Sequence, residues 1–209
     1  MSVALLWHGM PLSSVAQAQM CAGDTNMDGQ VTIAEVQQAA NSYLYDCSPN
    51  QPRFVDNGDG TISDYETGLT WEKKSDDGSI HDKDDRYTWS TGFPYDFDGT
   101  VRTRFLVALN SGGGFAGHRD WRLPTREELQ SIVDYADPTP PIVNPVFDTA
   151  CTPSCTVTSC SCTVLNYYWS SSTVAPNPGY AWIVYFIHGT VSAGVKPNEY
   201  HVRAVRTGL

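Results

Sequence analysis

The sequence is short of charged residues, and of basic residues in particular. Asp, Glu, Lys and Arg make up 17% of the chain, below the ~25% usual for globular domains, which excludes a coiled coil and a charge-rich disordered tail. Only 13 of the 209 residues are Lys or Arg, against 23 Asp or Glu, and the formal net charge is −10. A chain this acidic repels phosphate backbones, so nucleic acid is not an expected partner.

Long hydrophobic runs are also absent. No apolar run approaches the ~18 residues of a membrane-spanning helix, so the sequence predicts no membrane span. A short apolar patch near the N-terminus is followed by Ala16 and Ala18, in the A-x-A pattern of a signal-peptidase site, although no Lys or Arg precedes the patch. We predict a signal peptide over residues 1–18 and a secreted, periplasmic or cell-surface location in a bacterium.

The cysteines favour the same location. Their number is even, and in an exported chain this indicates disulfides among Cys21, Cys47, Cys151, Cys155, Cys160 and Cys162. Zinc is the alternative for the last four, which lie close together. Zinc usually takes two C-x₂₋₄-C pairs separated by a longer segment, whereas here the pairs are almost contiguous and no His is near. The spacing leaves the pairing within these four open.

Residues 24–35 fit the twelve-residue loop of an EF-hand, position for position. Loop positions 1, 3, 5, 7, 9 and 12 would supply oxygen ligands from Asp24, Asn26, Asp28, Gln30, Thr32 and Glu35. Gly29 occupies the position at which the loop turns sharply. Calcium takes about six to eight oxygens, and this spacing directs them to one point, so the sequence predicts a Ca²⁺ site.

The calcium loop has an exit helix but no entering helix. Apolar residues recur on one helical face over residues 31–44, whereas only residues 19–23 remain before the loop after signal cleavage. A disulfide between Cys21 and Cys47 would tie the helix end to the loop start and contribute about 3 kcal/mol in the chain-entropy model. We interpret residues 19–48 as a structural calcium module that resembles half of a dockerin, with one copy of a repeat that dockerins carry twice.

The main domain is predicted over residues 53–209, where short apolar runs are separated by Gly, Asn, Asp and Pro. Residues 53–55 and 61–63 flank a Gly-rich turn and predict a hairpin. Apolar residues at helical spacing over 99–110 and a capping box at Thr125 predict two helices. Further strands are expected at 180–187, 190–192 and 200–205. Strands at both ends around two helices indicate an α+β fold.

Six motifs of this domain occur in the same order in one family: residues 53–64, 67–71, 120–129, 168–171, 181–182 and 202–206. With them, the chain resembles the Legionella collagen-like protein C-terminal domain family, a domain of unknown function. The stretch Trp-Arg-Leu-Pro-Thr at 121–125 also resembles the signature of formylglycine-generating-enzyme-like domains, which are C-type-lectin-like. This resemblance implies two helices on a twisted, mostly antiparallel sheet with paired terminal strands, and Trp121 and Leu123 pointing inward.

The sequence does not favour catalysis. Formylglycine-generating enzymes use a cysteine pair near the C-terminal strand, whereas the corresponding residues here, 200–206, include no Cys. The serines at 170–172 lie near no nucleophile elbow, although His188 and His201 are available as bases. We therefore predict that the protein is not an enzyme, and a hydrolase ranks last among the alternatives.

The resemblance instead implies an adhesion or recognition protein for an extracellular glycan or protein ligand. The ligand is expected near the C-terminal strands, at Tyr168, Trp169, Trp182, Tyr185, Asn198, Tyr200 and His201. Aromatic rings supply rigid contact area and stack on sugars, but Trp169 and Trp182 also suit a core. The family's ligands include sulfated glycans, for which Lys196, Arg203 and Arg206 are the available cations.

A structural role is the second hypothesis, in which the dockerin-like module anchors the chain in an extracellular assembly. The charge is uneven: residues 1–98 hold 5 basic and 16 acidic residues, and residues 99–209 hold 8 and 7. Part of this excess lies in the calcium ligands, and part lies in the stretch 76–85 around His81. We interpret that stretch as a solvated loop, with a second cation site as the alternative. The oligomeric state stays open.

Overall fold

The structure is a computed structural model that describes Val36 and residues 52–209. The predicted signal peptide, the calcium loop and Cys21 and Cys47 lie outside the described residues. Arg53–Leu209 form one compact unit. Its strands and helices are short, as expected from a sequence with frequent Gly, Asn, Asp and Pro.

The first sheet joins both ends of the domain. Its strands are β1 (Phe54–Asp56), β2 (Thr61–Asp64), β3 (Leu69–Glu72) and β9 (Val205–Thr207), in the antiparallel order β1-β2-β3-β9. The predicted hairpin is confirmed as β1 and β2. In its turn, Gly58 and Gly60 have φ of 76° and 98°, a conformation that glycine adopts without steric cost.

Two helical segments follow, as the sequence predicts. The first, α1, has a π-helical part, Val101–Leu106, and an α-helical part, Val107–Asn110, and it buries Phe105 and Leu109. The second, α2 (Arg126–Ser131), begins at the predicted capping box. There the Thr125 hydroxyl accepts the Glu128 amide at 3.1 Å, and the Glu128 carboxylate accepts the Thr125 amide at 2.7 Å.

The C-terminal sheet contains β5 (Tyr167–Thr173), β6 (Tyr180–Tyr185) and β7 (Thr190–Val195), in that order and antiparallel. A short pair joins β4 (Tyr87–Thr88) to β8 (Glu199–Tyr200), and a 3₁₀ turn spans Pro145–Phe147. The prediction of one strand over 200–205 is wrong. Tyr200 ends β8 and Val205 begins β9, because the intervening backbone bonds to other partners: the amide of Ala204 donates to the Glu72 carboxylate at 2.8 Å.

The core lies on both faces of the C-terminal sheet. Since side chains alternate along a strand, Trp169 and Ile183 enter a cluster with Phe105, Trp121 and Leu123, which are all buried. Residues of the opposite parity enter a second cluster, which contains Trp71, Leu129, Phe147, Tyr168 and Val184. The inward orientation predicted for Trp121 and Leu123 is therefore confirmed.

Two disulfides close the cysteine-rich loop. Cys151 pairs with Cys162 and Cys155 pairs with Cys160, so one bridge is nested within the other. The described residues include no free cysteine. Zinc requires thiolates, so these paired sulfurs agree with the disulfide prediction rather than with the zinc alternative.

The described residues combine a few short helices with antiparallel sheets, and the mixed content predicted as α+β is confirmed at this level. None of the helices in this part of the chain is long and apolar enough to cross a membrane.

Candidate functional site

The residues predicted to contact a ligand do not share one surface. Tyr168 and Trp169 are fully buried and His201 is 4% exposed, whereas Trp182, Tyr185 and Tyr200 are half-buried and Asn198 is exposed. Trp182 and Tyr185 are three residues apart on β6, so their side chains project from opposite faces of the sheet.

The buried members of this set hold the domain together. The indole of Trp169 donates to the Tyr87 carbonyl at 2.8 Å, and the Tyr168 hydroxyl accepts the Val164 amide at 2.9 Å. Burial raises the pKa of Tyr168 to about 12. His201 contacts the Lys83 carbonyl through Nδ1 at 2.9 Å, and burial lowers its pKa. These side chains offer no surface to a ligand, and the core interpretation of Trp169 is confirmed.

Three tyrosines form a half-buried aromatic surface, which we call the tyrosine platform: Tyr167, Tyr185 and Tyr200. The rings of Tyr167 and Tyr185 stack with centroids 4.2 Å apart and planes 25° apart. The ring of Tyr200 meets Tyr167 edge-on at 5.6 Å. Tyr167 and Tyr185 are directly opposed on β5 and β6, which brings their rings to the same face of the sheet.

Tyr167 was missed by the sequence reasoning. The alternation of side chains along a strand could have identified Tyr167, because residues two apart, such as Tyr167 and Trp169, lie on the same face of β5. Gly194 on β7 leaves the space that the Tyr200 and Trp169 rings occupy, because a Cβ atom there would lie 2.6 Å from the Tyr200 ring and 2.9 Å from the Trp169 ring. Any side chain at this position would displace one of these rings.

Polar groups border the tyrosine platform. Thr190 is paired with Tyr185, and Ser192 is paired with Ile183, which puts both exposed hydroxyls on the platform side of β7. The ring of His188 meets Tyr185 edge-on at 5.5 Å. Aromatic rings beside hydroxyl groups form a surface that can stack on one face of a ligand and hydrogen-bond its edge.

The cations considered for sulfated glycans are not available at this surface. Arg203 is fully buried and Lys196 is 2% exposed. The Lys196 ammonium lies 3.7 Å from the Trp89 ring centroid and donates to the Tyr95 carbonyl at 3.1 Å, and burial lowers its pKa. Arg206 is paired with Asp120 at 2.9 Å. Lys196 and Arg203 are therefore not accessible to a sulfate group.

The serines at 170–172 are bonded to the backbone. Ser170 donates to the Trp182 carbonyl at 2.7 Å, and the Ser172 hydroxyl accepts the Arg126 amide at 3.0 Å. Ser171 donates to the Pro124 carbonyl at 3.2 Å. These hydroxyls connect β5 to β6 and to the start of α2. The Arg126 guanidinium lies 5.3 Å from the Trp182 ring.

A cluster of buried charges lies at the centre of the domain, and the sequence reasoning did not identify it. Glu72 is fully buried, and its carboxylate contacts the Lys74 ammonium at 3.2 Å and His81 Nδ1 at 2.7 Å. Burial alone raises the pKa of Glu72, but Lys74, His81 and the Ala204 amide outweigh it and hold that pKa below its usual value. Nearby, the Arg203 guanidinium donates to the carbonyls of Glu72 at 2.9 Å and Cys162 at 2.7 Å. The cluster thus connects β3 to the cysteine loop and to the start of β9.

The acidic loop at 76–85 is internally bonded. The carboxylates of Asp76, Asp82 and Asp84 lie within 4.8 Å of one another. Lys83 bridges two of them, at 3.1 Å from Asp76 and 2.7 Å from Asp84. Asp82 accepts the amides of Gly78 at 2.6 Å and Asp84 at 2.8 Å. A cation at this point would have to compete with the Lys83 ammonium.

Comparison with known proteins gives a family. Residues 60–206 match the family described as the Lcl C-terminal domain, and this range includes the tyrosine platform, the cysteine loop and the buried charge cluster. The comparison with curated proteins and the comparison with solved structures each found no match. Since the matched range covers more than half of the chain, the protein belongs to the Lcl C-terminal domain family.

Proposed function

We propose that the protein is an exported, non-catalytic binding protein that recognises an extracellular glycan through the tyrosine platform. The observation that carries this proposal is the contact of three half-buried rings, Tyr167, Tyr185 and Tyr200, on one face of the sheet. Flat aromatic surface that is held rigid by its neighbours binds a ligand at low cost in conformational entropy. The hydroxyls of Thr190 and Ser192 are placed to bond the edge of such a ligand.

Charge favours a neutral glycan over a sulfated one. Lys196 and Arg203 are buried with partners inside the domain, and Arg206 is paired with Asp120. A sulfate at the platform would therefore approach an acidic protein without these guanidinium or ammonium groups. A neutral sugar does not face this electrostatic cost.

The remaining parts of the proposal concern fold, location and metal. A C-type-lectin-like fold is supported by the pairing of the C-terminal strand β9 with β3 in the N-terminal sheet and by two helices against antiparallel sheets. Export is supported by two disulfides, which persist in oxidising compartments. The EF-hand pattern at residues 24–35 supports a calcium module with a structural role.

The contacts of the serines at 170–172 support the proposal that the protein is not an enzyme. All three hydroxyls at 170–172 are committed to backbone partners, and an activated serine needs a base within hydrogen-bond reach. Hydrolysis of generic esters or peptides that is lost in Ser170→Ala would contradict this part of the proposal.

The glycan proposal is tested by applying the full disulfide-bonded chain to an array of neutral and sulfated glycans. Tyr185→Ala removes half of the stacked pair, and a lost aromatic contact of about 0.5–1.5 kcal/mol weakens binding roughly 2- to 13-fold. The matched control is Tyr180→Ala, which removes an exposed tyrosine from the same strand but from the opposite face. Its affinity should equal that of the unmodified protein.

Three results would contradict the proposal: no binding to any glycan on the array, an equal loss of glycan affinity in Tyr185→Ala and Tyr180→Ala, or binding to sulfated glycans only. A blank array together with saturable binding to a cell-surface protein would support the protein-ligand alternative instead.

A further inference from the structure

The outer edge of β7 is open. Within residues 52–209, this strand pairs with β6 only. The Lys196 amide donates to the Gly179 carbonyl, just past the end of the strand. In this register Lys196 lies opposite Gly179, so the two form a hydrogen-bonded pair. Every second residue of β7, which includes Gly194 and Ser192, therefore also directs its backbone groups toward β6. In an antiparallel ladder the residues between them face the other way. The N–H and C=O groups of Val191 and Ala193 therefore point outward, and within the described residues they have no hydrogen-bond partner.

The other edges of the two larger sheets in the described part of the chain are protected. Along β5, the amide of Trp169 donates to His201, the amide of His201 donates to Tyr167, and the amide of Ser171 donates to Pro124. On β9, Val205 exchanges both of its backbone bonds with Arg122. β1 has three residues and ends at a charged one, as expected of an edge that resists pairing.

The composition of β7 contrasts with that of β1 and β9, which each contain a charged residue. Its six residues, Thr-Val-Ser-Ala-Gly-Val, include no charge and no proline, which are two of the features that prevent pairing between edges. Four of the six are exposed, and Val191 is half-buried. A strand of this length and exposure is a template for a further strand.

We propose that β7 pairs with β7 of a second copy of this chain. In an antiparallel arrangement with its two-fold axis at Ser192, Val191 lies opposite the partner's Ala193, and Ala193 lies opposite the partner's Val191. The outward N–H and C=O groups of both residues then find partners in four hydrogen bonds. Ser192 faces the partner's Ser192 as a non-hydrogen-bonded pair.

The uncharged composition of β7 supports a second copy as the occupant. Two acidic chains repel each other, and β7 is a place where they can meet without like charges directly opposed. The seam is one six-residue strand on each side, which is smaller than the ~1,200 Å² of stable interfaces. We therefore infer a weak dimer, which forms at high local concentration such as a cell surface provides.

The dimer would duplicate the tyrosine platform, a consequence that rests on the proposed function. The two-fold axis of an antiparallel pair is perpendicular to the sheet, so both platforms would face the same side. Tyr185 lies opposite Thr190, two residues from the two-fold axis. Tyr185 and the partner's Tyr185 would therefore be separated by three strand spacings across the sheet and four residues along it, or about 20 Å in all. Two neighbouring sites on one side would increase the avidity for a repetitive glycan.

The test is sedimentation velocity of the full chain, without glycan, from micromolar to near-millimolar concentration. The unmodified protein should move from monomer to dimer over this range. Ser192→Lys and Ser192→Glu place like charges opposite each other at the two-fold axis, and each should weaken dimerisation by about 2- to 5-fold. An equimolar mixture of the two variants should restore the dimer, because Lys then faces Glu.

Thr173→Lys is the matched control, since it adds the same charge at an exposed position of β5 in the same sheet. It should dimerise like the unmodified protein. Ala193→Pro is a second probe, because it removes an outward N–H without removing a bond to β6. A monomer at every concentration, or a mixture that stays monomeric, would overturn the proposal. Because no glycan is present, failure here is distinguishable from failure on the array.

Discussion

Replacing Glu72 by Gln would leave the Lys74 ammonium buried without a carboxylate. The two side chains are 0% and 2% exposed, and their charged atoms are 3.2 Å apart. Removal of one member of such a pair typically costs about 3–5 kcal/mol, because the remaining charge stays out of water. A domain of this kind has a free energy of unfolding of about 5–15 kcal/mol, so the loss would be a large part of the total.

A double-mutant cycle separates the ion pair from other effects at this position. Gln keeps the shape of Glu and an oxygen for the Ala204 amide, so Glu72→Gln removes mainly the charge. Lys74→Met removes the ammonium and keeps a long apolar side chain beside the Phe105 ring, which lies 4.8 Å from Lys74 Nζ. Replacing both members of a buried pair is often close to neutral. The double variant should therefore recover at least about 2 kcal/mol relative to the sum of the single losses.

The assay is urea unfolding at neutral pH with both disulfides intact, followed by tryptophan fluorescence, with the slopes compared to check that unfolding stays two-state. If the loss of unfolding free energy in the double variant equals the sum of the two single losses to within about 0.5 kcal/mol, Glu72 and Lys74 are not coupled. That result would refute the reasoning even if both single variants were unstable.

The remaining predictions concern pH, disulfides and calcium. The Arg122 guanidinium holds the pKa of Glu128 below its usual value, so this contact stabilises the fold above the unfolded pKa and is lost as the pH falls through the folded pKa. Urea midpoints should therefore fall between about pH 6 and pH 3, and less steeply in Glu128→Gln; an equally steep fall would contradict this. Cys155→Ala/Cys160→Ala should cost about 2 kcal/mol in the chain-entropy model, measured by the same unfolding assay, and no loss would argue against that estimate of the nested bridge. The melting temperature should be higher with calcium than with chelator, and Glu35→Gln should shrink the difference, whereas equal melting in both conditions would refute the calcium loop.

Local features of the fold were predictable because neighbouring residues determine them. The hairpin turn follows from glycines that accept positive φ, and the start of α2 follows from two hydrogen bonds between Thr125 and Glu128. The prediction of one strand over 200–205 was wrong because a distant residue determines the backbone there. There the Ala204 amide binds a carboxylate 132 positions away in sequence, a partner that no local pattern reveals.

The candidate site was predictable only in part. Tyr185 and Tyr200 were identified by residue type, and Tyr167 was accessible from the alternation of β5. Trp169 and Tyr168 were indistinguishable from them by type, but the packing of two clusters on the C-terminal sheet buries both. The cations were misplaced because charged residues are expected at the surface, whereas Arg203 and Lys196 reach carbonyl partners inside the domain.

The sequence by itself determined the family, the mixed helix and strand content, the helix cap and the expectation of disulfides. Each of these depends on residue types at short, regular spacings. Only the tertiary structure decided which cysteines pair, which charges are buried around Glu72, which tyrosines meet on one face and which strand edge stays open. The cysteine pairs join residues 5 and 11 positions apart, whose spacing allows more than one pairing. The other outcomes depend on contacts between residues far apart in the chain, and such contacts exist only after the sheets have packed.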